Sequence, residues 1–278
     1  MPAMEIRPRR ATELVDASFQ LLRRFYAQLV TVSALAMAPG VIYRIIERDA
    51  MSNPQLVVAH PGAFLGVGVV VILSFVICDA VLTLAVSQAY LEGAIDLSDA
   101  FGVGFRRIIS VMLASFFRGL LLTLVVFAVA MVFGVLSLLK TPVLLALLVP
   151  FVLWLVVYVL LRTFALTPIV LLEDAGPNVA MSRTLRLTKD CAAHIFFSLG
   201  LAYLLYFIIS GIVSVLGVTL LTPTTAGIIG AFVIIPIYPL LSVVSTLLYY
   251  DLRIRKEGFD LEVMSRELGG APAPLPAV

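Results

Sequence analysis

Residues 63–91 read AFLGVGVVVILSFVICDAVLTLAVSQAYL, 29 residues with one charged side chain, Asp79. A helix needs about 20 apolar residues to cross the hydrocarbon core of a bilayer, so this segment alone predicts a span. Working outward, five further stretches qualify: 26–46, 119–139, 143–161, 195–221 and 227–250. Segments 63–91 and 195–221 exceed the minimum length and must tilt or protrude. Composition agrees. Of 278 residues, 62% are hydrophobic and 13% charged, and the mean hydropathy is +1.11. That charge share is about half that of a soluble domain, and no soluble fold of this size buries so much apolar surface. Secreted, nucleic-acid-binding and disordered classes are excluded, and a net charge of +2 is too small to call for a polyanionic partner. The expected fold is all-α: a polytopic membrane bundle of six transmembrane helices, one integral domain over 1–268, with a disordered Pro/Ala/Gly-rich tail at 269–278.

Orientation follows from the basic residues. Of the 19 Lys and Arg, 16 fall on one side: Arg7, Arg9, Arg10, Arg23, Arg24, Arg106, Arg107, Arg118, Arg162, Arg183, Arg186, Lys189, Arg253, Arg255, Lys256 and Arg266. The other side keeps Arg44, Arg48 and Lys140. A multi-pass plasma-membrane protein with both termini cytoplasmic is predicted. The first apolar run is too long for a signal-peptide core and has no A-x-A cleavage site, so it is read as a retained span.

Before the first, third and fifth spans lies a short segment with helical amphipathic spacing. Thr12, Ser98 and Asn178 are the expected N-caps. In the first segment Glu13, Asp16, Gln20 and Arg24 oppose Leu14, Leu21, Leu22 and Phe25. In the second, Asp99 and Arg106 oppose Phe101, Phe105, Ile108 and Met112. In the third, Arg183, Arg186 and Asp190 oppose Met181 and Leu185. The expectation is three interfacial amphipathic helices on the cytoplasmic side. Each is followed by a two-span hairpin, giving repeat-like units 12–91, 98–172 and 178–260 around an approximate threefold axis.

Side chains suited to catalysis are few. His60 and His194, the two histidines, are placed on opposite sides of the membrane, and no HExxH, P-loop or GxSxG occurs. Cys78 and Cys191 form no CxxC and read as small buried hydrophobes. No catalytic, metal or cofactor residues are predicted, and the chain is not expected to be an enzyme. Asp79 lies about 18 Å from the inner end of its helix at 1.5 Å per residue, near mid-bilayer, where a charge must face the bundle and find a partner. Thr83 and Ser87 follow at i+4 and i+8 as one polar stripe. Two readings stand for it: an interhelical hydrogen bond, or proton or ion coupling. Arg118 and Arg162, placed at the inner ends of the third and fourth spans, are expected to snorkel to the phosphates or to pair with Glu92 or Glu173. Pro236 and Pro239 either kink a span or break it as in a transporter site.

Three stretches carry a resemblance: TELVDASF at 12–19 leading to Arg23-Arg24-Phe25, LEDAGPNVAMSRTLRLTK at 172–189, and YYDLRIRKEGFD at 249–260. Together they resemble the bacterial integral membrane proteins named for the glycerophosphoryl diester phosphodiesterase membrane domain. Asp190 stands where that pattern leads one to expect a small residue. In two-part members the phosphodiesterase is a separate soluble barrel with a His-Arg-Gly motif. Here Pro61 follows His60 and Ile195 follows His194, so the resemblance implies the membrane module alone.

The leading expectation for function is a non-enzymatic module that scaffolds or anchors a membrane or cytoplasmic protein partner in the lipid bilayer, without nucleic acid. The alternative is a small transporter or lipid-handling protein using Asp79. The surroundings of Asp79 separate them: a polar cavity reaching it from one side favours transport, a dry packed contact favours a scaffold.

Overall fold

A computed structural model describes residues 7–46, 61–138, 142–221 and 223–267, and these contain helices and no strand. Six helices are long and apolar enough to cross a membrane. In order the elements are α1 (Ala11–Ile46), α2 (Pro61–Leu91), α3 (Leu97–Arg106), α4 (Ile108–Leu138), α5 (Pro142–Thr163), α6 (Leu166–Leu172), α7 (Pro177–Leu187), α8 (Ala192–Leu220), α9 (Pro223–Glu257) and α10 (Phe259–Glu267). Arg48, His60, Lys140 and the tail 269–278 lie outside the described residues.

Packing is centred on α1, α2 and α9, which touch one another, with α8 laid on α9 and the α4–α5 hairpin reaching the rest through α6, α2 and α7. Leu29 and Val32 of α1, Leu82 and Val86 of α2, and Val244 and Leu248 of α9 are all inaccessible. The three predicted units are not packed alike. Nearly half of the apolar window in α1 is buried (44%), whereas nothing in the corresponding window of α4 is; burial in α4 stops at Ala114.

The short helices exist, with corrections to their ends and faces. The amphipathic start of α1 runs into its span across a kink at Phe25 (φ −113°, ψ 19°), so Thr12 is inside a helix that opens at Ala11. Asp96, not Ser98, caps α3: its carboxylate accepts from the backbone N–H of Ser98 (2.9 Å) and Asp99 (3.1 Å). A carboxylate at this position also meets the positive end of the helix dipole. Gly176 is the N-cap of α7 and Pro177 fills its first turn, where proline's missing N–H costs nothing, so Asn178 caps nothing.

The faces of α1 follow the predicted division: Leu14, Leu21 and Phe25 are buried and Leu22 half-buried, while Asp16, Gln20 and Arg24 are exposed and Glu13 half-exposed. In and after α3 the predicted apolar face is split: Phe101 and Ile108 are half-buried, Phe101 against the core. Phe105 and, just beyond the helix, Met112 are exposed, and Ala100 and Gly104 are buried. A Cβ added at Gly104 would lie 3.0 Å from Val81, so small residues let α3 sit on α2 while Phe105 and Met112 are left for the acyl layer. In α7, Arg183 points inward to two carboxylates instead of sharing the outer face with Arg186 and Asp190.

Two helices are longer than predicted. The third span runs over Ile108–Gly134 because Arg106 and Arg107 end α3 and the apolar run resumes at Ile108. Arg118 is therefore embedded about three turns inside α4, not at its end. The sixth helix stays helical through Pro236 and Pro239 to Glu257, so the prolines do not break it.

Candidate functional site

The three stretches that carry the family resemblance meet at one end of the bundle, the basic end, where α3, α7, the start of α1 and the end of α9 lie. Glu173, just past α6, accepts from Arg183 Nη2 (3.1 Å) and from the Tyr249 hydroxyl (2.7 Å), and Arg183 Nε also donates to it. Arg183 reaches Glu257 as well, at 3.0 Å. Arg253 donates to Glu257 at 3.2 Å, lies 3.7 Å from Glu262 and stacks its guanidinium 4.3 Å from the centre of the Phe259 ring. Burial alone would lower the pKa of Arg183, but the hydrogen bonds and charges of Glu173 and Glu257 outweigh it and hold the group above the usual arginine value. Neither Arg118 nor Arg162 is needed to neutralise Glu173. Arg162 is half-buried, and its backbone carbonyl accepts from Thr184 of α7 (3.3 Å).

A second cluster is built on Asp251, which is 3% exposed. One oxygen accepts from the backbone N–H of Arg9 (2.6 Å), the other from Arg255 (2.7 Å), and His194 Nε2 lies 2.9 Å from that same oxygen. Arg9, α8 and α9 are thereby tied together. Ser87 belongs to this fastening too: its hydroxyl is 2.7 Å from that of Tyr250. The polar stripe predicted along α2 is thus divided. Thr83 donates to the carbonyl of Asp79 within its own helix (2.7 Å), Ser87 joins α9, and the Asp79 side chain goes elsewhere.

Asp79 faces a cavity of about 580 Å³ whose lining comes from α2, α4, α5, α6, α8 and α9. Thr167 of the short helix α6 donates to its Oδ2 at 2.8 Å. That position exists because the fourth span is interrupted at Phe164 and Ala165 and resumes as α6, which turns Thr167 toward α2. Arg118 lines the same cavity, three turns into α4, and lies within electrostatic reach of Asp79. The rest of the polar lining is Tyr203 and Tyr206 of α8 with Tyr238, Ser242 and Ser245 of α9. The Ser242 hydroxyl is buried and has no hydrogen-bond partner. Leu160 of α5 and Phe196, Tyr203 and Phe207 of α8 line the cavity yet are 45–65% exposed. They form a rim. Contact between α5 and α8 is slight, and the chamber opens between them toward the apolar surround.

The sequence pointed to Asp79 and Arg118 separately but not to their meeting, and it missed Thr167, Tyr203, Tyr206, Tyr238 and Ser242. A signal was present: Tyr238, Ser242 and Ser245 recur at i, i+4 and i+7 in an otherwise apolar span, as do Tyr203 and Tyr206 at i and i+3. Among the described residues, no three His, Cys, Asp or Glu side chains gather as a metal site would require.

No family model, curated protein or solved structure matches this chain.

Proposed function

We propose that this protein is a lipid-handling membrane module, which takes an amphipathic molecule from the bilayer into an intramembrane chamber. The observation that carries this reading is the cavity of about 580 Å³ that brings Asp79 and Arg118 to one space behind an apolar rim. A polar interior behind an apolar mouth matches an amphiphile, whose tails stay with the rim while its head goes inside. Charges inside a membrane protein face a bundle interior or a functional pathway, and a purely structural pair gains nothing from a chamber of this size. Of the two sequence-based readings, the geometry favours the second, in which Asp79 handles a ligand. The scaffold reading loses its best surface, because at the basic end Glu173, Arg183, Arg253 and Glu257 are engaged with one another and Asp251 with Arg255. We place that end in the cytoplasm of the cell, with the protein in the plasma membrane, on the excess of Lys and Arg it carries.

The test uses Gly200, which lines the chamber and where an added Cβ meets nothing within 4 Å. Wild type purified in mild detergent is expected to retain a near-stoichiometric lipid, identified by mass spectrometry of the extract. Gly200→Trp should fill the chamber, remain monodisperse and lose that lipid at least several-fold. Equal retention by the two proteins would end this reading.

A further inference from the structure

We infer that the molecule held in the chamber is a zwitterionic amphiphile, with its anionic phosphate at Arg118 and its cationic group at Asp79. The inference rests on the lipid-handling reading above and adds the headgroup. It begins from a charge count. The chamber is lined by one acid and one base, and among the described residues the two are not joined in a direct ion pair, although each lies in the other's field. With Asp79 ionised, an anionic ligand would satisfy Arg118 and leave Asp79 facing a like charge, and a simple cation would do the reverse. In a low-dielectric site either mismatch is costly. A headgroup with no net charge but separated charges pairs with both.

The individual groups fit that division. A guanidinium offers a planar fork of donors that matches a phosphate. The hydrogen bond from Thr167 to Oδ2 fixes how the Asp79 carboxyl presents itself. Tyr203 and Tyr238 line the same chamber, and aromatic rings attract an ammonium group. Asp79 sits twelve residues from the end of α2, about 18 Å at 1.5 Å per residue, so the head is drawn well below the level at which it rests in a leaflet.

Delipidated protein would be titrated with phosphatidylethanolamine, phosphatidylglycerol and diacylglycerol of identical chains, and with free phosphoethanolamine, following the unfolding midpoint. Wild type should bind phosphatidylethanolamine about tenfold more tightly than phosphatidylglycerol, a difference of about 1.4 kcal/mol, and diacylglycerol more weakly than either. Asp79→Asn, which keeps an acceptor for Thr167, should reverse the order of the two phospholipids. Arg118→Gln should weaken both phospholipids several-fold and keep phosphatidylethanolamine ahead of phosphatidylglycerol, and Arg118→Lys should restore part of the affinity and show that loss of binding is not loss of fold. Equal affinities, or preference for phosphatidylglycerol in wild type, would overturn the headgroup assignment and leave the lipid chamber standing. Binding of free phosphoethanolamine as tight as that of the whole lipid would overturn the amphiphile. No binding by any of the four would overturn both.

Discussion

Asp251 places a buried carboxylate among three partners, the backbone N–H of Arg9, the Arg255 guanidinium and the His194 ring. A hydrogen bond to a charged group is worth more than a neutral one, roughly 1.5–3 kcal/mol, and removing the charge strands partners that were desolvated to meet it. Asp251→Asn keeps the size and one acceptor but loses the charge against Arg255. It is expected to lower stability by about 2 kcal/mol, read from a denaturant titration in detergent, and Asp260→Asn at the half-exposed start of α10 should change it by much less. What was legible at this scale was the presence of charge, not its use. The sequence marks Asp79 as an acid inside an apolar run, and that was enough to single it out. It cannot say that Arg118 comes to the same space, because the two lie 39 positions apart in sequence and their meeting depends on where α4 begins. Arg183 fails in a different way: its helical spacing puts it on the polar side of α7, and only the arrival of Glu173 and Glu257 from other elements makes that side an inner one.

At the scale of elements, α3 shows how a local rule can be right in kind and wrong in position. Ser98 and Asp96 are both good capping residues, and spacing alone does not choose between them. The choice falls to Asp96 because its backbone N–H is also held by Gln88 of α2 (3.0 Å), while the Gln88 amide donates to Asp99 (2.8 Å). The prediction separates the two: Asp96→Ala should cost about 1 kcal/mol and loosen α3, seen as faster amide exchange over 97–106, whereas Ser98→Ala should leave exchange unchanged. The six spans were legible because twenty apolar residues have few other uses. The break before α6 also had a mark, Pro168, whose missing N–H and ring disrupt the helix at the carbonyl of Phe164, four residues earlier; it lies beyond the predicted end of the fourth span at 161 and was not read.

For the whole molecule, the basic residues gathered at one end predict a fixed orientation. In a background with Cys78 and Cys191 replaced by alanine, single cysteines at Ser98 and Ser182, both exposed at the basic end, should resist an impermeant thiol reagent applied to intact cells. Cysteines at Ser52 and Thr224 should react with it. Labelling of Ser182 from outside would overturn the cytoplasmic placement of that end. The internal repeat was legible only as a rhythm of short helix and hairpin. Packing overrides it, since α1 lies among α2, α8 and α9 while α4, its counterpart in the second unit, has most of its length on the outside.

The contact of α1 with α9 also bears on how the chain is made. Ribosomes deliver the spans to the membrane one after another, and α1 emerges first and α9 last among the six. Two faces of the first hairpin therefore wait, lipid-solvated, while some 130 further residues between them and α9 are synthesised. Arg9 and Asp251, whose bond closes the basic end, cannot meet until α9 has been synthesised. The earlier spans thus wait as loosely held hairpins, and the bundle reaches a protease-resistant state in one step when α9 arrives rather than by gradual growth span by span.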